Sequence, residues 1–255
     1  MENIHQGNLS INIKEAVGTI TFGHPAGNSL PGALLRKMAQ SFLQLGQDSQ
    51  VKVIILKSEG DRAFCGGASF DELLSIEDES SARYFFSGFA EVINAIRTCG
   101  KIVIGRIQGK AVGGGVGLAA AVDYCLASEN AAIKLSELAV GIGPFVVGPA
   151  VQRKIGLSAF SQMTLKPQEW FPAGWALEKG LFMEVYEEIE QLDIAVDNLA
   201  RQLASYNPDA LAQLKKIFWE GTEHWDKLLA ERAGISGQLI LSDYSRNFLK
   251  QFKEK

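Results

Sequence analysis

Residues 109–118 read Gly-Lys-Ala-Val-Gly-Gly-Gly-Val-Gly-Leu, and residues 62–70 read Arg-Ala-Phe-Cys-Gly-Gly-Ala-Ser-Phe. Adjacent glycines adopt positive φ angles and let the backbone approach a ligand closely. Each stretch follows a short apolar run, at 102–107 and 51–56, that is typical of a buried strand. Each also precedes a helical pattern. The two stretches are therefore predicted to be strand-to-helix loops, called here the first (62–70) and second (109–118) glycine loops.

The rest of the chain fits an α/β fold. Apolar-polar runs at 9–13 and 19–22 predict a hairpin. Up to about residue 145 short strands alternate with helices, which predicts βαβ units with parallel pairing and right-handed crossovers. Beyond that point helical periodicity dominates. Helices are expected at 188–205, 208–220 and 223–241, as a C-terminal layer on the α/β core.

The two glycine loops predict a pair of hydrogen-bond donors. Backbone N–H groups at the start of a helix are unpaired and lie at the positive end of the helix dipole. If both loops follow parallel strands, they meet at the carboxyl edge of the sheet, where each can direct one N–H at a shared oxygen. The alternative interpretation is a tight turn in the first loop and close helix–sheet packing in the second.

Two nucleotide-binding motifs fail at the second glycine loop. The GxGxxG pattern, started from Gly113, requires a glycine where Leu118 stands. The phosphate-binding loop pattern has the wrong spacing from Gly105 and ends in Ala111. A dinucleotide or nucleoside triphosphate site is therefore not expected there.

Glu137 is a lone carboxylate in the apolar stretch 134–144. Burial would raise its pKa by disfavouring the charged form, which suits a general base or acid near neutral pH. The alternative is a surface glutamate that caps a helix or pairs with Lys134.

Composition excludes several classes of protein. The 255 residues carry a net charge of −4, and no basic stripe alternates with aromatic residues, which argues against nucleic-acid binding. Cys65, Cys99 and Cys125 fit no metal-ligand spacing, so no metal site is expected, and their sparse number suits a reducing compartment. No apolar stretch is long enough for a membrane span, and residues 1–10 do not resemble a leader. We expect a cytoplasmic protein.

Five segments, taken together, resemble the enoyl-CoA hydratase/isomerase (crotonase) superfamily over roughly residues 9 to 185. The first glycine loop is similar to the family's KAFCAGAD, with Ser69 in place of aspartate, and the second to GxAxGGGxxL. Residues 28–30 resemble the family's NAL, 136–138 its PEx, and 140–144 its LGLxP. Five segments in the same order are a stronger signal than any one of them.

The resemblance implies a spiral of ββα units with a helical C-terminal layer. It implies a core with the acyl-CoA site over 1–190, a helical trimerisation or cover region over 191–255, and a homotrimer or dimer of trimers. The substrate would be a small-molecule acyl-CoA whose thioester oxygen lies between the backbone amides of Ala68 and Gly114. Coenzyme A would be part of the substrate, and no separate cofactor is expected. The residues expected around the substrate are Ala63, Phe64, Gly66, Gly67, Ser69, Phe70, Gly113, Gly117 and Pro144.

One departure from the family pattern bears on the reaction. Typical hydratases of the family carry two glutamates: one corresponds to Glu137, and the other falls at Gly117. One glutamate is enough to move a double bond, so isomerisation is favoured. A hydratase of short or branched substrates, such as methylglutaconyl-CoA, with a proton donor from elsewhere remains open. So do a decarboxylase, a non-catalytic acyl-CoA-binding protein and an RNA-binding role.

Several other residues have both a functional and a structural interpretation. Arg62 and Lys110 are candidates for contact with coenzyme A phosphates, or are solvated charges. Residues 170–172 (Trp-Phe-Pro) line an acyl tunnel or pack between helices. Asp71 reaches the pocket or favours a helix dipole, and Asp123 is expected to be structural.

Overall fold

A β-hairpin opens the part of the chain described by the computed structural model, residues 7–253 (backbone alone for 252 and 253). Strands β1 (Asn8–Lys14) and β2 (Val17–Gly23) pair antiparallel, so the expected hairpin is confirmed. Glu15 and Ala16 make the turn with positive φ angles. The residues before Gly7, from which the absence of a leader was expected, lie outside the described part.

The chain then repeats a strand–strand–helix unit. The first strand of each unit joins a six-stranded sheet, and the second joins a separate four-stranded sheet. The long strands are β3 (Val53–Ser58), β5 (Ile102–Ile107) and β7 (Tyr124–Ser128). The short strands are β4 (Ala63–Cys65), β6 (Lys110–Val112) and β8 (Ala132–Lys134), parallel in the order β4-β6-β8. The ββα spiral expected from the family resemblance is confirmed.

The connecting helices complete the core. They are α1 (Gly32–Gln47), α2 (Phe70–Leu74), α3 (Glu79–Thr98), α4 (Gly114–Ala121), a short 3-10 helix (Glu137–Val140) and α5 (Gly148–Leu165). The remaining elements are β9 (Phe171–Pro172), α6 (Ala173–Glu178), β10 (Glu184–Tyr186), α7 (Ile189–Ala204), α8 (Pro208–Phe218), α9 (Trp225–Ile240) and α10 (Asp243–Lys253). Strand β9 closes the small sheet, and β10 closes the large one.

The short strands correct one detail of the sequence interpretation. The segments called glycine loops are not loops throughout: β4 lies within the first and β6 within the second, and in each the short strand comes before the adjacent glycines. Three-residue strands are too short to show the alternation that identifies a half-buried strand. The small sheet was therefore invisible in the sequence, although it places both loops.

Two apolar layers hold the sheets and helices together. The larger core lies under α1 and α3 and contains the fully buried Phe42 and Phe85. The other face of the large sheet is covered by α7, whose Leu192 and Val196 pack with Val53 and Ile104 among others. The apolar stripe of each helix thus finds a sheet face or another helix to bury it.

The C-terminal helices pack on this core. Helix α9 lies against α3, and α10 contacts both α2 and the 3-10 helix. The assignment of residues 191–255 to a separate trimerisation region stays a prediction. None of the described helices is long and apolar enough to span a membrane.

Asp123 is buried just before β7, and both of its carboxylate oxygens have hydrogen-bond partners. Its Oδ2 accepts from the Val103 N–H at 2.7 Å and from Lys215 Nζ at 2.6 Å, and its Oδ1 accepts from Trp219 Nε1 at 2.9 Å. The side chains of Asp123 and Lys215 are each 2% exposed. Asp123 therefore connects β5 and α8, as a structural residue does.

Candidate active site

Three loops meet at the carboxyl ends of the small sheet. Because β4, β6 and β8 are parallel neighbours, the residues after each strand lie side by side. Ala68 follows β4, Gly114 follows β6 and Glu137 follows β8. All three line one cavity of about 510 Å³. Its size is typical of a small-molecule site.

Ala68 presents an unpaired N–H to this cavity. A parallel bridge to Leu30 uses the groups on either side of it: the Leu30 N–H donates to the Gly67 carbonyl at 2.8 Å, and the Ser69 N–H donates to the Leu30 carbonyl at 3.2 Å. The N–H of Ala68 has no acceptor among the described residues. It is therefore held in place by its neighbours while remaining available to a ligand.

Gly114 supplies the second unpaired N–H. It is the first residue of α4, where a helix has no internal acceptor for its N–H, and none is found elsewhere in residues 7–253. The Phe89 ring occupies the space that a side chain at position 114 would need, since a Cβ built there would lie 2.6 Å from Phe89 Cζ. The two loops touch, because a Cβ on Gly67 would lie 3.8 Å from the Gly114 nitrogen. The two donors can thus serve one oxygen.

Glu137 places a buried carboxyl beside these donors. Its Oε2 is buried without a hydrogen-bond partner among the described residues. Burial raises the pKa of Glu137 from 4.5 to about 7, and the hydrogen bond from its own backbone N–H opposes the rise only in part. A Cβ on Gly113 would lie 2.9 Å from Glu137 Oε1, so the carboxyl group packs against the backbone of the second glycine loop. A carboxyl with this pKa can accept and return a proton near neutral pH.

The suggested pairing of Glu137 with Lys134 is absent. Lys134 Nζ lies 4.4 Å above the centroid of the Trp170 ring instead. The backbone connection is different: the Gly113 N–H donates to the Lys134 carbonyl at 2.8 Å, which fastens the second glycine loop to the end of β8.

Val147 occupies the space that a side chain at position 117 would need. A Cβ built on Gly117 would lie 2.6 Å from Val147 Cβ, far inside ordinary carbon contact. Val147 is buried and lines the cavity, whereas Gly117 lies behind it on α4. The cavity wall at this point is therefore apolar, and its shape leaves no room for a second acid at residue 117.

Most of the remaining wall is also apolar. Helix α3 contributes Phe86 and Phe89, and α10 contributes Phe248. Polar side chains are spread over several elements and include His24 and Ser29, where Ser29 Oγ lies 3.1 Å from His24 Nδ1. Asp71 also lines the cavity, but it is exposed in the first turn of α2.

Most of the residues expected at the site lie around this cavity. They are Gly66, Gly67, Ala68, Ser69, Phe70, Gly113, Gly114, Glu137 and Pro144. Ala63, Phe64 and Gly117 are not among the lining residues. Phe64 instead packs edge-on against Phe22 in the core, and the Ala63 carbonyl accepts from Asn28 Nδ2 at 2.8 Å. Both belong to β4, which supports the loop from behind.

Sequence reasoning missed the aromatic and C-terminal parts of the wall. The contact of Phe89, on α3, with Gly114 has no sequence signal. Ser236 and Phe248 reach the cavity from α9 and α10, more than 90 residues beyond Glu137. Contacts over such separations follow from packing and not from any local pattern.

The cysteines and potential metal ligands do not add a second centre. Burial raises the pKa of the Cys65 thiol to about 12, so it remains a neutral thiol beside the first glycine loop. Within residues 7–253 no group of three His, Cys, Asp or Glu side chains is arranged to hold a metal ion.

Comparison with known proteins agrees with this fold. The model of the family described as enoyl-CoA hydratase/isomerase matches residues 12–255. The chain belongs to this family, which is the crotonase superfamily expected from the motifs. Its members are acyl-CoA enzymes of the hydratase, isomerase and related types.

The similar proteins have several names. A probable enoyl-CoA hydratase of Bacillus subtilis strain 168 is 26% identical over 250 residues, covering 97% of this chain and 96% of that protein. Carnitinyl-CoA dehydratase of Escherichia coli strain K12 is 31% identical, covering 78% of this chain and 75% of that protein. The crystal structure of an enoyl-CoA hydratase from Bacillus halodurans superposes with a TM-score of 0.88 at 22% identity, covering 95% of this chain and 99% of that one.

Proposed function

We propose that this protein is an enoyl-CoA isomerase that uses Glu137 as its single proton carrier. The thioester oxygen of the substrate would accept hydrogen bonds from the N–H groups of Ala68 and Gly114. Such donors strengthen as negative charge develops on the oxygen, so they stabilise an enolate more than the ground-state thioester.

The proposed reaction needs no second reactant. With a 3-enoyl thioester, the Glu137 carboxylate removes a proton from C2, and the electron pair spreads over the thioester oxygen and C4. The protonated Glu137 then returns the proton to C4, and the double bond lies between C2 and C3. Since the carboxyl has a pKa of about 7, both of its forms are populated near neutral pH.

The observation that carries this proposal is the contact between Gly117 and Val147. Hydration requires two groups that handle protons, one to activate water and one to protonate carbon. A valine fills the position facing Gly117, so the buried wall near Glu137 offers no second carboxyl. A proton shift by one carboxyl fits this wall better than addition of water.

Asp71 supports a second candidate, an enoyl-CoA hydratase. It is the other carboxylate lining the cavity, and its exposure gives it access to water. Relatives named as a probable hydratase and a dehydratase favour the same chemistry. In this candidate Asp71 would position the water that Glu137 cannot handle alone.

An absorbance assay tests these candidates. We would incubate the protein separately with a 3-enoyl-CoA and a 2-enoyl-CoA and follow the conjugated thioester. Isomerisation predicts rising absorbance with the 3-enoyl substrate and little change with the 2-enoyl one. Glu137→Gln should lower kcat roughly 10²- to 10⁴-fold, the usual contribution of a positioned proton carrier, while acyl-CoA binding is retained. Glu220→Gln, an exposed glutamate on the surface, is the matched control.

Different results would replace the proposal. Loss of absorbance with the 2-enoyl substrate, abolished by Asp71→Asn, would establish the hydratase. Unchanged absorbance with both substrates, together with acyl-CoA binding, would indicate a non-catalytic binding protein. Wild-type turnover in Glu137→Gln would remove Glu137 from the mechanism in either case.

A further inference from the structure

Lys110, Lys134 and Trp170 form a cationic strip beside the cavity. Strands β6 and β8 place Val112 opposite Lys134, and the β8–β9 pairing of Ile133 with Phe171 puts Lys134 next to Trp170. Since side chains alternate between the faces of a strand, Lys110 and Val112 share the face of Lys134. The strip therefore extends over β6 and β8 to the residue that precedes β9.

The two ammonium groups lie on the same indole ring. Lys110 Nζ is 4.9 Å and Lys134 Nζ is 4.4 Å from the Trp170 ring centroid. Neither lysine has a carboxylate within ion-pair distance among the side chains of residues 7–251, and Glu169 pairs with Lys166 instead. Two like charges thus lie near one ring with no carboxylate partner among the described side chains, in a chain whose net charge is −4. An anion placed between them would relieve their repulsion.

The strip is continuous with the cavity. Val112, Lys134 and Gln168 are lining residues, whereas Lys110 and Trp170 lie on exposed surface, with Trp170 37% exposed. The opposite face of the same strands carries Ala111 and Ile133 in the core. A molecule that fills the cavity and extends outwards along this edge of the sheet would pass over the two lysines.

We propose that Lys110, Lys134 and Trp170 form an anion-binding subsite for the thioester substrate, an inference that rests on the proposed acyl-CoA function. The ligand group is an anion that two ammonium groups contact directly while the indole packs on its apolar neighbour. Two parts of an acyl-CoA can supply this chemistry. One is a phosphate of coenzyme A, and the other is a carboxylate at the far end of the acyl chain.

The test is direct binding by titration calorimetry. Free coenzyme A and saturated acyl thioesters are used because they contain no double bond to move, so the result does not depend on turnover. The thioesters are made on coenzyme A and on pantetheine, each with a neutral and with a carboxylate-terminated chain. Lys110→Met/Lys134→Met is compared with Lys37→Met/Lys227→Met, a control that removes two exposed lysines outside the cavity lining.

The ligand set separates the two sources of the anion. Loss of roughly tenfold in affinity for coenzyme A and its thioesters, with pantetheine thioesters unaffected, assigns the strip to a phosphate. A similar loss confined to carboxylate-terminated chains assigns it to the acyl end. Unchanged affinity for every ligand, or an equal loss in the control, overturns the subsite. Failure of the isomerase assay alone would leave these affinities as they are.

The fluorescence of Trp170 gives a second test, in which Lys110 and Lys134 are both left unchanged. It is far more exposed than Trp219 and Trp225, so its emission should respond when a ligand reaches the strip. A coenzyme A thioester should change the fluorescence of the wild-type protein, and Trp170→Phe should lose most of that change. An identical change in Trp170→Phe would contradict the placement of the ligand on the indole.

Discussion

Two buried acids in this chain have opposite environments. Asp123 receives hydrogen bonds from the backbone of β5, the ammonium of Lys215 and the indole of Trp219. Glu137 has an oxygen buried without any partner among the described residues, and its pKa is raised to about 7. Both oxygens of the first acid accept hydrogen bonds from the protein, whereas burial gives the second a pKa that a reaction near neutral pH can use.

The difference shows what distinguishes a structural acid from a catalytic one. A buried carboxylate that is paired and hydrogen-bonded keeps its charge and connects elements. A buried carboxyl without partners favours its neutral form and becomes a proton carrier near neutral pH. Both residues lie in apolar stretches of the chain, so the environment and not the residue type decides between the two roles.

The largest expected loss in the free energy of unfolding comes from removing the carboxylate of Asp123. Asp123→Ala leaves Lys215 charged and buried without its partner, which should lower the free energy of unfolding by about 3–5 kcal/mol. Glu169→Ala is the control, because Glu169 pairs with Lys166 and the two side chains are 46% and 54% exposed. That variant should lose no more than about 1 kcal/mol. Urea denaturation measures both, and equal losses would contradict the contrast.

The unpaired acid should behave in the opposite way. Because the pKa of Glu137 rises from 4.5 in the unfolded chain to about 7 in the fold, ionisation destabilises the wild-type protein as pH increases between these values. Glu137→Gln should therefore match the wild type below pH 4.5 and exceed it above pH 7, by up to roughly 3 kcal/mol. Thermal unfolding from pH 4 to 8.5 measures the difference.

The control for this pH dependence is Glu220→Gln, which lies on exposed surface. Its stability relative to the wild type should stay constant over the same range. A Glu137→Gln variant that is less stable than the wild type above pH 7 would show that the carboxylate has a stabilising partner, and the comparison with Asp123 would then be wrong.

The smallest expected change in the free energy of unfolding concerns the contact between Gly117 and Val147, beside Glu137. Gly117→Ala pushes a methyl group into Val147 and should cost about 1–3 kcal/mol. Val147→Ala should restore part of that loss in the double variant, so the two changes are coupled. Gly174→Ala is the control, because a Cβ on this helical glycine has open space and should be neutral or slightly stabilising. Additive losses at positions 117 and 147 would place them out of contact.

Particular residues show which parts of the fold and of the site could be predicted from the sequence. The hairpin and α7 were predicted from the periodicity of their own residues, and the strands at 51–56 and 102–107 from compact apolar runs. Asp123 was expected to be structural, and Glu137 was a candidate proton carrier if buried, with an exposed glutamate as the alternative. The strands β4, β6 and β8 were not predicted, since three residues give no period, and the pairing of Lys134 with Trp170 requires the register of that small sheet.

The sequence by itself determined the class of fold, the membership of the family and the two glycine loops whose N–H groups face the cavity. The fold class and the loops follow from local patterns, because apolar periodicity indicates helices and strands, and adjacent glycines let the backbone turn tightly and approach a ligand. The family was indicated by the resemblance of five segments to its motifs. Only the tertiary structure decided that Val147 closes the space beside Gly117, that Glu137 Oε2 is buried without a partner among the described residues, and that Lys110 and Lys134 share one indole ring. Each of these is a contact between residues distant in the chain, and packing alone brings such residues together.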